Sequence, residues 1–569
     1  MSLTKLSYAM IQGAPVNVLD FGADPTGSTD STTAIQTAID SGANIVCFSG
    51  GTYKVNLDSL TLSSNQVLDG QGATITSTDT TRNKCIFVGR SKSNIKICNF
   101  IFSTNNSGQS AILLLGCVDV KIENNQTTNC ALVVSGSSAQ STNDIFGYYA
   151  LYSSVNSSNQ SAFISASNNS CTGDSTTDAT NVPAILITFT YGAAVENNNL
   201  TGYRHGVMWW GGDADPTING AIANERKVNT LNISNNVCTD MDMGNIWGAM
   251  GVSVIVSNNE CDYSGDVGID FEGCIDCIAI GNNVRNRTNG ALALGFVNKN
   301  VKFTGNIAQT DTNGVYIVNL FGTTGSTYDN RDLVFSDNEI RAIGNIKALI
   351  SGPTQFTNLV IDNNRLYNVN IDFNTTAFRN LSVENNTFIL SWDHTTAFNA
   401  VAFQNFTNTG ANSVVNIKKN SVIAEVSQTA TNNGVYAQLG SSFGTDKYLL
   451  NIEDNDFSKL SRGWNITVTD TAANAANLNI NIKRNYIGQT NDPVLTLDSS
   501  GNAKAYRSDN MYKASSGNDF PYPYNNPSTG KWFQGERTYT AAPASAGYIG
   551  YVCVTTGIPG TWKTFGLIS

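Results

Sequence analysis

The sequence predicts an all-β chain wound as a parallel β-helix, and three observations carry that prediction. A short phrase of alternating apolar and polar residues closing on asparagine recurs thirteen times. The phrase ends at Asn125, Asn169, Asn198, Asn236, Asn259, Asn283, Asn306, Asn338, Asn364, Asn386, Asn420, Asn455 and Asn485. Between Asn236 and Asn306 the steps are 23, 24 and 23 residues, a period typical of stacked repeats. Each phrase (KIENN, IVSNN, SVENN) has the two-residue alternation of a strand. Asparagine also tolerates the left-handed backbone needed to turn a corner. One repeat is then one coil, with strand on strand and asparagine on asparagine.

Residues 1–42 read as a lead-in followed by a capping helix. The strand-like VNVLDFGA runs into the turn signal Asp24-Pro25-Thr26-Gly27. Asp30-Ser31 then offers a good N-cap, Ala34, Ile35, Ala38 and Ile39 share one helical face, and Gly42 ends the helix. Such a helix covers the open apolar end of a first coil. Residues 43–515 read as coils, with irregular insertions between Asn125 and Asn236 and after Asn306. Loops that leave a solenoid cluster on its working face. Residues 516–569 change texture. They carry five of the eleven prolines, are dense in Gly, Tyr and Trp, and lack the asparagine step. We read them as a small separate β domain serving trimer assembly, carbohydrate contact or closure of the last coil.

Composition excludes several function classes. Lys plus Arg is 33 against 44 Asp plus Glu, a net charge of −11. That argues against general nucleic-acid binding and against an anionic membrane surface. No apolar run approaches transmembrane length, so no membrane insertion is expected. MSLTKLSYAM lacks the apolar core of a signal peptide. A chain made in the cytoplasm and acting outside it would leave by another route, such as lysis. The eleven cysteines sit mostly in apolar strand contexts (IVCF, KCIF, IKIC) and read as buried thiols. Cys274 and Cys277 form a CxxC with no second pair at zinc-ribbon spacing, and there are only two histidines, His205 and His394. Neither metal nor cofactor is expected.

The candidate chemistry lies at Gly265–Gly273, GDVGIDFEG. Val267, Ile269 and Phe271 alternate with Asp266, Asp270 and Glu272, so strand geometry sends the apolar set inward and the three carboxylates outward. Like charges that close raise at least one pKa. An acid beside an ionised carboxylate is what glycoside hydrolysis needs. One coil earlier lies MDMGNIWGAMG, where a 24-residue step stacks Asp242 on Asp266 and a 23-residue step stacks Trp247 on Asp270. One coil earlier again lies Tyr203-Arg204-His205, then Trp209-Trp210-Gly211-Gly212-Asp213. Three of the seven tryptophans thus fall within about two coils of the carboxylates. Each is either core filling or a sugar platform. Trp210, before Gly-Gly-Asp, reads as exposed. His205 reads as structural, or as a group that binds substrate or moves protons.

Val18-Leu19-Asp20-Phe21-Gly22-Ala23-Asp24, with Asp30 and Ala34-Ile35, resembles the N-terminal end of pectate-lyase-like β-helix proteins, specifically bacteriophage tailspikes. WWGGD, NIWGAMG and GDVGIDFEG resemble the central coils of capsule-degrading tailspikes, and GYIGYVCVTTGIPGTWKTFG resembles their tail. The resemblance implies a right-handed single-stranded helix, a homotrimer, attachment to a phage tail or baseplate, and action on capsular or lipopolysaccharide glycan outside the cell. Larger tailspikes carry an N-terminal virion-attachment domain, whereas this chain begins almost directly at the β-helix.

Three functions follow from these residues. The first is an endo-glycoside hydrolase with Glu272 as general acid and Asp270 as base or nucleophile, Asp266 or Asp242 tuning them. Trp209, Trp210, Trp247, Arg204, His205 and Asp213 would hold the sugars. The second is a polysaccharide lyase, which needs a basic residue near the abstracted proton, with Arg204, Arg226 and Lys227 as candidates. The third is a glycan-binding adhesin without catalysis. A deacetylase has less support, since the chain lacks a Gly-x-Ser-x-Gly elbow.

Overall fold

The computed structural model describes residues 14–569 except 105–107, 139–159, 175–182, 215–227, 287–289, 311–317, 322–328, 344–346, 352–354, 374–376, 394–396, 404–412, 440–446, 469–476, 489–492, 498–502, 514–518, 523–526, 529–530 and 541–542. The first thirteen residues of the lead-in, and with them part of its expected structure, lie outside the described residues. The chain is a right-handed parallel β-helix of pectate-lyase-like architecture that divides into two compact units, residues 1–295 and 296–569.

In the first unit, three parallel sheets run along the coils. One stacks from Val16–Asn17 to Ile275–Ile280, the second from Thr26–Asp30 to Asn283–Asn286, and the third from Leu60–Thr61 to Leu292–Gly295. The second unit repeats the pattern. One of its ladders runs from Lys299–Thr304 through Asp329–Ser336 to Lys504–Ser508. It ends in an antiparallel sheet of Arg537–Tyr539, Tyr548–Thr555 and Thr561–Leu567.

The asparagine ladder is real, and its chemistry explains its spacing. Asn169 donates its backbone N–H (3.0 Å) and its Nδ2 (2.9 Å) to Oδ1 of Asn198 in the next coil, and Nδ2 also reaches Ile122 O in the preceding coil at 3.0 Å. The same bonds repeat at Asn198, Asn236 and Asn259 in the first unit, and at Asn364, Asn420 and Asn485 in the second. Only a side chain with both a donor and an acceptor can continue such a row while buried. The left-handed residue is the one before the ladder position: Asn124 (φ 56°), Asn258 (φ 54°), Lys419 (φ 53°) and Arg484 (φ 54°). Two details differ from the sequence reading. The sixth step falls on Asn282 rather than Asn283, because Gly281 (φ 66°) takes the left-handed place there. Asn510 adds a step, preceded by left-handed Asp509.

The helix spans Thr32–Asp40 and buries Thr32, Ile35, Ala38 and Ile39, while Ala34 stays partly exposed. Ser31 makes no side-chain cap; its hydroxyl accepts the Asp24 N–H at 2.9 Å, and Asp30 Oδ1 accepts the Thr32 N–H instead. All eleven cysteines are free thiols, ten of them buried.

Candidate active site

The strands Val207–Trp210, Ile246–Ala249, Ile269–Glu272 and Leu292–Gly295 lie side by side in the third sheet of the first unit. Their register resolves the choice left open by the repeat length. Met208, Trp247, Asp270 and Ala293 form one row, and Trp210, Ala249, Glu272 and Gly295 form another two residues along. The 23-residue step therefore holds, and Trp247 sits beside Asp270. It holds as well in the second sheet, where Met241 pairs with Ser264. Asp242 consequently lies beside Gly265, where a Cβ would come within 2.0 Å of the Asp242 carbonyl oxygen, and does not stack on Asp266.

The row between these two faces inward. Trp209 and Phe271 are fully buried, their rings 5.5 Å apart across Gly248. A Cβ on Gly248 would lie 2.0 Å from the Trp209 ring, so glycine there is what admits the indole. Trp209 is thus a core residue and does not reach the outer face, so the core-filling alternative holds for it and its candidate role as a sugar ligand does not. Met208, Trp210 and Trp247 belong to the outer row. Both tryptophans are half-buried against an apolar patch formed by Leu113, Val134, Leu186 and Met208.

Asp270 and Glu272 leave the same side of their strand, with Cα atoms about 6.5 Å apart. Asp266 precedes the strand, in the turn, where its N–H donates to Met243 O at 3.2 Å. The carboxylates were expected on a solvated face. Instead, Asp270 is 1% exposed and its Oδ1 has no hydrogen-bond partner among the described residues. Glu272 is half-buried, and its Oε1 accepts the Trp247 Nε1–H at 3.2 Å.

This enclosure sets the acidities. Burial pushes Asp270 well above the usual carboxylate range, and the Glu272 and Asp266 charges push it further. Burial raises Glu272 from its ordinary 4.5 to about 8; the Trp247 hydrogen bond opposes the rise, while Cys274, Asp213 and Asp266 add to it. Asp213, a candidate sugar ligand, thus acts electrostatically on Glu272. Two coupled carboxyls lose their protons in two separated steps. Between those steps one acid and one carboxylate share the site.

His205 is buried, and its ring stacks on Trp247 with centroids 5.3 Å apart and planes 18° from parallel. Trp210 stacks on the same indole at 5.8 Å and 20°. The His205 Nδ1 lies 3.1 Å from both the carbonyl oxygen and the N–H of Gly244. Burial, then the Arg204 charge, lower its pKa to about 3, which favours the neutral ring. A buried, stacked, neutral ring fits the structural reading of His205. Arg204 is half-buried one residue earlier, and its carbonyl accepts the Met243 N–H at 2.9 Å. Arg226, Lys227 and His394 lie outside the described residues.

Sequence reasoning missed the supports. Asn245 is fully buried and ties the turn before Trp247 to Cys238 O at 2.9 Å. Ala214 closes over left-handed Gly273, where an added Cβ would sit 3.0 Å away. Asn and Gly in a turn give little sequence signal of such contacts, because most turns contain them.

Fold and site together define a pectate-lyase-like parallel β-helix carrying an enclosed carboxyl pair under an aromatic stack. The family model for rhamnogalacturonase A/epimerase, pectate lyase-like, matches residues 15–270. No curated protein matches the sequence. Among solved structures, the chain is similar to the tailspike of Escherichia coli bacteriophage HK620 in complex with a pentasaccharide (10% identity, 97% of this chain and 92% of that one, TM-score 0.44). It is also similar to the mannuronan C-5 epimerase AlgE4 A-module of Azotobacter vinelandii (16% identity, 61% and 94%, TM-score 0.43). A third is tailspike protein 3 of bacteriophage CBA120 (11% identity, 96% and 68%, TM-score 0.35). At these identities the likenesses carry no argument about activity.

Proposed function

We propose that this chain is a phage tailspike that binds and depolymerises bacterial surface polysaccharide, cutting within the chain by glycoside hydrolysis at Asp270 and Glu272. The observation that supports it is the enclosed pair: Glu272 holds its proton to about pH 8 while a second carboxyl lies two residues away on the same face. Glu272 protonates the leaving oxygen as general acid. Asp270 serves as the base or nucleophile once the pair has lost its first proton. The coupling places the working range between the two proton losses, and activity falls on the alkaline side as the pair loses its second proton.

In this reading Trp210 offers its outer face to a sugar ring, and Arg204 meets hydroxyls or acidic groups. Trp247 holds Glu272 instead of a sugar, since His205 and Trp210 already stack on it. Asp266 and Asp213 tune the pair by charge. The chain acts as a homotrimer on the virion, outside the cell. The test is Glu272→Gln against purified capsular polysaccharides that the wild type cuts. Depolymerisation is expected to stop while glycan binding persists. An undiminished cleavage rate would remove Glu272 from the chemistry.

A further inference from the structure

The second unit contains a cavity of about 620 Å³ between the last coil strands, Leu478–Lys483 and Lys504–Ser508, and the C-terminal sheet. That volume is in the range of small-ligand sites. Its floor is a buried ion pair. Arg507 and Glu536 have side chains 5% and 8% exposed and meet at 3.3 Å through Nε and Oε1. Arg507 Nη2 also reaches Glu536 Oε2 at 3.3 Å and Lys531 O at 2.8 Å, and the guanidinium lies 3.7 Å from the centre of the Trp532 ring. Glu536 Oε2 accepts the Phe533 N–H at 2.8 Å. A charge pair fixed on so many sides is rigid before any ligand arrives.

The walls have a different character. Tyr506 is 47% exposed and stacks on Phe533 at 5.9 Å and 24°, which gives the cavity an aromatic face open to solvent. Lys483 and Arg537 also line it, and neither makes an ion pair among the described residues. Arg537 rests 5.7 Å from the Phe565 ring. With Arg507, three cations face two carboxylates, Asp509 and Glu536, so the cavity carries one net positive charge in a chain of net −11.

We propose that this cavity is a second saccharide site, separate from the carboxyl pair, that selects carboxylated sugars. An aromatic face provides apolar contact for a sugar ring, and a cation beside it provides the partner for a ring carboxylate. The overall negative charge disfavours long polyanions such as nucleic acid, whereas a saccharide with spaced carboxylates meets only the local charge. The inference rests on the reading of the chain as a glycan-handling protein and does not require that it cut glycans.

The test is calorimetric titration of the full chain with hexagalacturonate and, as a neutral control, cellohexaose. The wild type and Glu272→Gln are expected to bind hexagalacturonate alike, and cellohexaose at least about tenfold more weakly. Lys483→Gln and Tyr506→Ala are each expected to weaken hexagalacturonate binding about tenfold, equal to about 1.4 kcal/mol. Both positions are at least partly exposed, so the fold should survive, and an unchanged unfolding midpoint checks it; Arg537→Gln is the substitute variant. No binding of hexagalacturonate by the wild type would overturn the proposal, as would binding that these variants leave intact. Loss of binding in Glu272→Gln would move the ligand to the carboxyl pair and overturn it too. A protein that binds hexagalacturonate through Lys483 and Tyr506 yet cuts no polysaccharide would sustain this site while refuting the hydrolase.

Discussion

Replacing Glu272 by glutamine should stabilise the protein, and only where the pH is high. The carboxyl has a pKa of about 8 in the fold against an ordinary value of 4.5. Below pH 4.5 it is protonated folded or unfolded, and its titration contributes nothing. Between 4.5 and 8 the unfolded chain releases the proton and the folded chain keeps it, so stability falls as pH rises. Above 8 the loss is complete. The shift corresponds to about 5 kcal/mol at full ionisation. Glutamine does not titrate, so the variant is spared this loss. For a cooperative unit of some 300–570 residues, that is a difference in Tm of about 4–8 °C. The assay is thermal unfolding of wild type and Glu272→Gln from pH 4 to pH 9, read as the difference between them. A difference that is flat at acid pH and widens in favour of the variant through pH 8 is expected. A difference that does not change with pH would refute the enclosure of Glu272 and the acid role built on it.

Other perturbations test neighbouring parts of the account. Trp247→Phe keeps the stack with His205 and Trp210 but removes the N–H that stabilises ionised Glu272; the alkaline limb of the cleavage pH profile should move up by about one unit. Asn259→Ala breaks the ladder between Asn236 and Asn282 and leaves buried polar groups unpaired, which should cost about 1–3 kcal/mol, read from the denaturation midpoint. Glu536→Ala strands the buried Arg507 guanidinium and should cost about 3–5 kcal/mol, with earlier proteolysis of the C-terminal sheet as the readout.

The fold was legible because its repeat is written in one chemistry. A buried asparagine that must donate to one coil and accept from another cannot be replaced by an apolar residue, so the ladder survives in the sequence as a countable mark. Its misreading at Asn283 arose because the left-handed place and the ladder place adjoin, and both take asparagine. The site was legible in part for the same reason: the ladder set the strand phase that puts Asp270 and Glu272 on one face. The sequence does not encode depth so plainly. An outward residue on an isolated strand is solvated, but here the outer row is itself packed against Leu186, Met208 and the tryptophans, which turned a solvated pair into an enclosed one. Trp209 and Trp210 are adjacent and opposite in fate, and only the register with Gly248 tells which is core. The second cavity went unseen because its walls come from KAYRS and KWFQGER, segments about thirty residues apart that the fold alone brings together.

The central claim is that the enclosed carboxyl pair hydrolyses a glycan. It is tested most directly by incubating purified protein with a panel of bacterial capsular polysaccharides and analysing the products by mass and ultraviolet absorbance. The account predicts fragments heavier by one water per cut, with new reducing ends and no absorbance of an unsaturated sugar, and no fragments with Glu272→Gln. Unsaturated products, or a polymer bound but left whole by the wild type, would contradict it.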